Sequence, residues 1–455
     1  MILPLQSIRI ENFRGIRAAT LELHPEVTVL FGANAAGKTT MLDALAIALG
    51  ALVARVPKAA GRSFAKSGDI RVPWKNRPEV EEKAGVECSY AILRVVASGN
   101  VWWELARMRS IHDRPTGLIG SENDSLHAAL DPLVRQALDA SPGVVTAPIP
   151  LVASYGNERA FVDVPQRERD FNREFHRFGG LDRSLSATTR FKTVFEWFRV
   201  MEDEERRERE RRKDFTFLLP ELEWVRRAVA KAELRCKNPR VETKPVRMLV
   251  DFDHENGETE PLDISALSDG YRTHFSLVID VARRMVQLNP SSDLDDRERG
   301  TNTRAVVLID EVDLHLDPSW QGRVIRGLRS AFPNTQFVVT THSEQVLGSV
   351  GAECVRKLIW DNGEIVIENV PFAQGATGER ILVDLMGAPE RVPGPITDKL
   401  KAYLKLVERG EGNREDAEEL RAELEGALQH DPMLHQAQLD MKRQEIMAKF
   451  GGKAG

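Results

Sequence analysis

The feature that most restricts this chain is the run Val27-Thr-Val-Leu-Phe31, followed without a break by Gly32-Ala-Asn-Ala-Ala-Gly-Lys38-Thr39. It fits the pattern G-x-x-x-x-G-K-[ST] without a mismatch. Such a loop works between a buried strand and a helix, because amides of the loop and of the first helical turn converge on an anion. The flanks supply both, a β-branched run before the loop and an apolar stretch at 41–53 after it. The pattern predicts strands at 5–13, 19–24 and 27–31 and a helix over 38–53, hence an α/β fold. Asp43 and Gly50 interrupt the apolar stretch, which reads as a buried helix and not a membrane span. In the loop, Gly32, Asn34, Ala35, Ala36, Gly37 and Thr40 would line the phosphates. Lys38 would contact the β- and γ-phosphates, and the Thr39 hydroxyl would bind magnesium.

A second run, Arg304-Ala-Val-Val-Leu-Ile-Asp-Glu311, ends in two adjacent carboxylates. Its aliphatic body reads as a buried parallel strand that presents Asp310 and Glu311 at its carboxyl edge. Asp310 would hold magnesium through its water shell, and Glu311 would deprotonate an attacking water. Loop and carboxylates together imply hydrolysis of ATP with magnesium. His342 closes a further buried run, Phe337-Val-Val-Thr-Thr-His342, where it resembles a switch histidine contacting a γ-phosphate. Upstream, Ser268 in Ser265-Ala-Leu-Ser-Asp-Gly270-Tyr-Arg272 is a natural N-cap. Ser268 and Gly270 at a helix start also suit a γ-phosphate offered by another subunit.

Composition excludes several classes. At 455 residues, 42% hydrophobic and 29% charged, the chain suits a soluble protein of several structural units. A net charge of −6 argues against a wholesale polyanion binder, though not against a local basic face. Cys88, Cys236 and Cys354 form no C-x-x-C pair, which speaks against a zinc finger or disulfide framework and fits a reducing cytoplasm. The first ten residues lack the pattern of a signal peptide.

Four segments are expected: 1–164 with the phosphate loop, a charged helical insert at 165–244, 245–372 with the paired carboxylates, and a helical unit at 373–455. A hairpin is predicted over 88–108, a helix at 125–140 and a strand at 149–154. Helix is expected to continue to about 237, with a strand at 245–252 and a helix from 268 to 285. Further on, a helix at 319–331, a strand at 336–341 and a hairpin at 357–367 precede helices at 397–407, 414–428 and 432–448. The Glu- and Arg-rich run at 204–213 reads as a solvated helix face. Arg226, Arg227, Lys231, Arg235, Lys237 and Arg240 concentrate positive charge where DNA could be met.

The order of these motifs resembles the ABC-type ATPase heads of the SMC, RecF and overcoming-lysogenization-defect families. Ile10-Glu-Asn-Phe-Arg14-Gly15, the loop Leu316-Asp317 and His342 carry that resemblance. It implies a P-loop head with a mixed sheet, split by an inserted helical arm and followed by a C-terminal helical unit. It further implies that Arg14 touches nucleotide and that Asp317 joins Ser268 and Gly270 at the bound ATP. The stretch 308–347, with Asp317-Pro-Ser-Trp-Gln321, looks most like ATP-binding proteins of bacterial defence islands, the Septu ATPase PtuA foremost. This implies a homodimer or higher homo-oligomer in the cytoplasm and a partner nuclease of HNH type, docked by the C-terminal region. DNA would be an optional ligand. The chain departs from the family at Asp269, where a signature glycine is usual, and in lacking a placeable metal-coupling glutamine. Tyr155-Gly-Asn-Glu-Arg159 is the substitute.

No Toprim or HNH constellation follows His342, so cutting of DNA would fall to another polypeptide. The alternative reading is a self-contained RecF-like ATPase of DNA repair or recombination. No membrane-coupling segment supports a transporter subunit.

Overall fold

The computed structural model describes residues 2–76, 83–110, 124–139, 147–157, 175–186, 191–362, 364–429 and 431–451. They fall into two units, Met1–Ile381 and Leu382–Gly455. In the first, β1 (Leu5–Phe13) and β2 (Ile16–Glu22) join β4 (Tyr90–Ala97) and β5 (Val101–Met108) in an antiparallel sheet ordered β2-β1-β4-β5. Between them, β3 (Val27–Phe31) enters a second sheet, and α1 (Lys38–Val53) follows it. That sheet also holds β6 (Leu151–Tyr155), β10 (Ala305–Ile309), β11 (Thr335–Thr340), β12 (Val355–Asp361) and β13 (Glu364–Asn369). Its order is β13-β12-β3-β11-β10-β6. All its pairings are parallel except the β12–β13 hairpin.

Strand order is what positions the site. β3, β6, β10 and β11 are buried along their whole length, as parallel strands covered on both faces must be. β3, β11 and β10 lie side by side, so the residues after Phe31, Thr340 and Ile309 emerge together at the carboxyl edge. Open α/β sheets bind ligands there. Gln336 ties the two sheets: its Oε1 accepts from the Leu5 amide at 2.8 Å, and its Nε2 donates to the carbonyls of Leu5 and His24 at 2.8 and 2.9 Å.

The remaining helices of this unit are α2 (Asp124–Asp139), α3 (Phe191–Arg212), α4 (Pro220–Lys231), α5 (Asp269–Leu288), α6 (Pro318–Gln321), α7 (Val324–Ala331), α8 (Glu344–Gly348) and the single turn α9 (Gly378–Arg380). Among the described residues no helix is long and apolar enough to cross a membrane.

Four expectations change. β2 begins at Ile16 because Arg14, at φ 50°, turns the chain so that Phe13 already pairs with Ile16. The helix expected over 319–331 is two, α6 and α7, separated at Gly322 and Arg323. Helix stops at Lys231, and β7 (Cys236–Thr243), β8 (Val246–Asp253) and β9 (Thr259–Asp263) form an antiparallel sheet of their own. β9 has no buried face, so its sequence carries no apolar alternation to read. The basic stripe is the fourth. Arg226 pairs with Glu205 at 3.1 Å, Arg227 with Glu223 at 3.0 Å, Arg235 with Glu255 at 2.9 Å, Arg240 with Asp251 at 2.6 Å, and Lys237 with Asp253. Carboxylates from other strands, helices and turns pair with four of the six residues, and Glu223 of the same helix pairs with Arg227, so the stripe is not an unopposed cationic patch. The run at 204–213 does lie on a helix with i,i+3 and i,i+4 pairs, Arg209–Glu205 and Arg212–Glu208 among them. Residues 167–174 of a second Arg-rich stretch, 167–183, lie outside the described residues.

The second unit has its own core. Helices α10 (Pro395–Glu408), α11 (Glu415–Leu428) and α12 (Pro432–Gly451) bury Leu400, Tyr403, Val407, Ala417, Leu424, Leu434, Ala437 and Met441 against one another. Leu404 and Leu406 pack against the same cluster. The apolar stripe of α10 is therefore satisfied inside this unit.

Candidate active site

The three strand ends build one cleft of about 240 Å³, lined by Asn34, Ala35, Gly37, Lys38, Thr39, Thr40, Asp310, Glu311 and His342. Nine sequence-predicted residues from three distant segments thus meet at one place. The loop is held tight from within. Ala35 adopts φ 64°, and the Ala36 amide donates to the Ala33 carbonyl at 3.1 Å. Gly37 sits at φ 92° with Ile365 against it; a Cβ there would stand 2.1 Å from the Ile365 Cδ1. A side chain there would have to displace Ile365 of the β12–β13 hairpin and hold a strained left-handed backbone.

Lys38 donates to the carbonyls of Gly32 and Ala33 at 2.9 and 3.0 Å. Burial lowers its pKa, while Asp310, Glu311 and Asp313 pull it back up. The ammonium is thus partly desolvated, so its pull on a phosphate is less screened than in water, while the three carboxylates oppose added negative charge unless a second cation offsets them.

Asp310 is buried, and both its oxygens are engaged: Thr39 Oγ1 donates to Oδ2 at 2.8 Å and Thr340 Oγ1 to Oδ1 at 2.5 Å. The Asp310 amide donates to the Tyr155 carbonyl at 2.8 Å, which fixes the carboxylate from the β6 side. A hydroxyl beside a carboxylate, all hard oxygen donors, fits magnesium. Glu311 has φ 50°, unusual for a side chain of its size, and its amide donates to Thr340 Oγ1 at 2.7 Å. This kink takes Glu311 out of the strand pleat and into the cleft. His342 is exposed at the cleft mouth.

The other predicted residues lie elsewhere. Arg14 is held by Asp43 at 2.5 Å and Asp69 at 2.9 Å, and it is not among the cleft residues. Ser268 caps α5 in position, yet its side chain makes no capping hydrogen bond, and it is exposed. Gly270 is buried because the loop after β10 presses on it; a Cβ would lie 2.3 Å from the His315 carbonyl oxygen. Asp269 is paired with Arg272, so the carboxylate at the unusual signature position has a cation to offset it. Asp317 is exposed and caps α6, accepting from the Ser319 amide at 3.1 Å.

Sequence reasoning missed Thr340 and the anchor of Tyr155. The Tyr155 hydroxyl donates to buried Asp280 of α5 at 2.9 Å, and Arg283 and Arg284 close on the same carboxylate at 2.7 and 2.8 Å. Burial alone would raise the Asp280 carboxyl, but the two guanidiniums hold it ionised, down to about 2. Charged residues at i, i+3 and i+4 of a helix signal such a cluster only once burial is known. Glu158 and Arg159 of the proposed substitute lie outside the described residues. One group among the described residues has metal-ligating atoms within 4.8 Å, His24, Glu353 and Cys354. The His24 Nδ1 already accepts from the Glu26 and Val27 amides at 3.2 and 3.4 Å, contacts that a metal at that atom would have to displace.

The loop segment and the segments of the carboxylates and His342 fall within two family matches. Residues 7–109 match a family model described as "AAA domain", and 122–348 match one described as "AAA domain, putative AbiEii toxin, Type IV TA system". The "Retron Ec83 probable ATPase" of Escherichia coli is 27% identical over 93% of this chain and 83% of its own length. The Septu protein PtuA of Bacillus mycoides (strain KBAB4) is 31% identical over 34% of this chain, which spans 21% of that protein. An SMC head bound to the C-winged helix domain of ScpA superposes with a TM-score of 0.45 at 16% identity, over 81% of this chain and 98% of that one. With residues 7–109 and 122–348 each matched to an AAA-domain model, and a relative named a probable ATPase along 93% of this chain, the chain is an ATPase that carries AAA-type domains.

Proposed function

We propose that two copies of this chain close around ATP and magnesium at composite sites, and that this closure regulates or assembles a partner nuclease in anti-phage defence. One observation carries the composite site. Ser268 and Asp317 are exposed outside the cleft of their own subunit, on a surface joined by the contact of Gly270 with the loop at 315. Placed so, they would meet a phosphate bound in another copy. Within each cleft, Lys38 and the loop amides would hold the β- and γ-phosphates, and Glu311 would take the proton of the attacking water. Thr39 and Asp310 would hold magnesium, which supplies charge neutralisation on the phosphates. His342 would sense the γ-phosphate from the cleft mouth. The defence role is supported by the retron and Septu relatives.

Mixing two inactive variants tests the pairing. Lys38→Ala in one copy and Ser268→Arg in the other leave one intact composite site per mixed dimer. Random mixing is expected to recover roughly a quarter of native turnover. Ser268 is the better target, since any side chain at Gly270 collides with the His315 carbonyl. No recovery, with mixed dimers verified by native mass spectrometry, sinks the composite site. For the nuclease, a chain ending at Ile381 is expected to hydrolyse ATP normally but to lose co-purification with an HNH protein encoded beside it. Retained co-purification would move the docking surface to the first unit.

A further inference from the structure

Gln321, the last residue of α6, joins the cleft to the surface that the paired reading assigns to a second copy. Its Oε1 accepts from the Ser343 hydroxyl at 2.6 Å, and its Nε2 donates to the Leu316 carbonyl at 2.7 Å. Ser343 directly follows His342 and is buried. Its hydroxyl oxygen also accepts from the Gln345 and Val346 amides at 3.1 Å each. With those two donors fixed, the one hydroxyl proton is left for Gln321. The amide orientation of Gln321 is then dictated, oxygen to Ser343 and nitrogen to Leu316. On its other side, α6 touches α5: Trp320 meets Tyr271 edge-on, with ring centroids 5.0 Å apart. Gly270, beside Tyr271, packs on the carbonyl of His315, next to Leu316.

We propose that Gln321 is a positioning residue that couples the His342 end of β11 to the loop at 313–317 and to the start of α5. A shift of His342 toward a phosphate in one subunit would then reset the surface offered to a second copy of this chain. The inference rests on the paired reading above. Gln321 is absent from the cleft lining, so its effect on nucleotide runs through Ser343. Only a side chain that both donates and accepts can close this link; a carboxylate lacks the donor, and leucine lacks both.

The test uses the full-length chain carrying Glu311→Gln, to which Gln321→Leu or Gln321→Glu is added. Fluorescent ATP titration reads the cleft, mass photometry with ATP reads pairing, and thermal melting reads integrity. Nucleotide affinity is expected to stay within about twofold, while ATP-driven pairing weakens about tenfold, in the range of a coupling between two sites. Should Gln321→Leu unfold, Gln321→Glu, of matched size, carries the same comparison. Unchanged pairing at an unchanged melting temperature overturns the inference. A parallel loss of nucleotide affinity also overturns it, because Gln321 would then merely support the cleft. If Glu311→Gln alone fails to pair with ATP, the paired reading falls and takes this inference with it, before any change at Gln321 is made.

Discussion

Glu311→Gln is expected to bind ATP as the native chain does and to hydrolyse it at least about a hundredfold more slowly, the usual share of a positioned general base. The substitution preserves size and leaves the backbone kink in place, because φ 50° and the bond from the Glu311 amide to Thr340 Oγ1 do not depend on the carboxylate. Lys38, Thr39 and Asp310 keep their contacts, so affinity has no reason to change. What goes is the group proposed to accept a proton from water. Phosphate release and equilibrium titration, measured on one preparation, separate the two effects. A variant that turns over at the native rate removes Glu311 from the chemistry and leaves it as a kinked strand end.

Lys38→Ala is expected to fail one step earlier, at binding. Each charge-assisted hydrogen bond to phosphate is worth about 1.5–3 kcal/mol, so losing an ammonium that serves two phosphates should raise the Kd for ATP by roughly a hundredfold or more. The lysine also braces its own loop through the carbonyls of Gly32 and Ala33. Alanine therefore loosens the cradle as well as discharging it. Titration with a fluorescent ATP analogue measures the shift, and Lys38→Arg separates its two causes. Arginine keeps the charge but, with its broader head, cannot fit between two carbonyls that accept a single ammonium. Tight binding by Lys38→Ala would mean that nucleotide enters elsewhere.

The cleft was legible in the sequence, and the elements around it only partly so. Lys38, Thr39, Asp310, Glu311 and His342 announce themselves because each ends or follows a run of apolar β-branched residues, and such runs belong to strands buried on both faces. β3, β10 and β11 are strands of that type. β9 is exposed and polar, so nothing in its residues marks it as a strand. The pairing of the cationic stripe at 226–240 was hidden for a related reason. Charge is written in the sequence, but its neutralisation by Asp251, Asp253 and Glu255 depends on which strands and turns lie beside it. The stripe of Leu400 and Tyr403 likewise demanded burial without naming its partner, and α11 and α12 supply it.

By itself, then, the sequence determined the local chemistry: a phosphate loop between strand and helix, two carboxylates at a strand end, and a histidine at another. These are short-range patterns, in which neighbouring residues impose the backbone that the site needs. Only the tertiary structure decided that β11 lies between β3 and β10, so that the three ends form one cleft. Only it decided that Ser268 and Asp317 are exposed and do not line that cleft, and that Gln321 bridges Ser343 to Leu316. Such contacts join segments far apart in the chain, and no pattern within either segment carries information about the other.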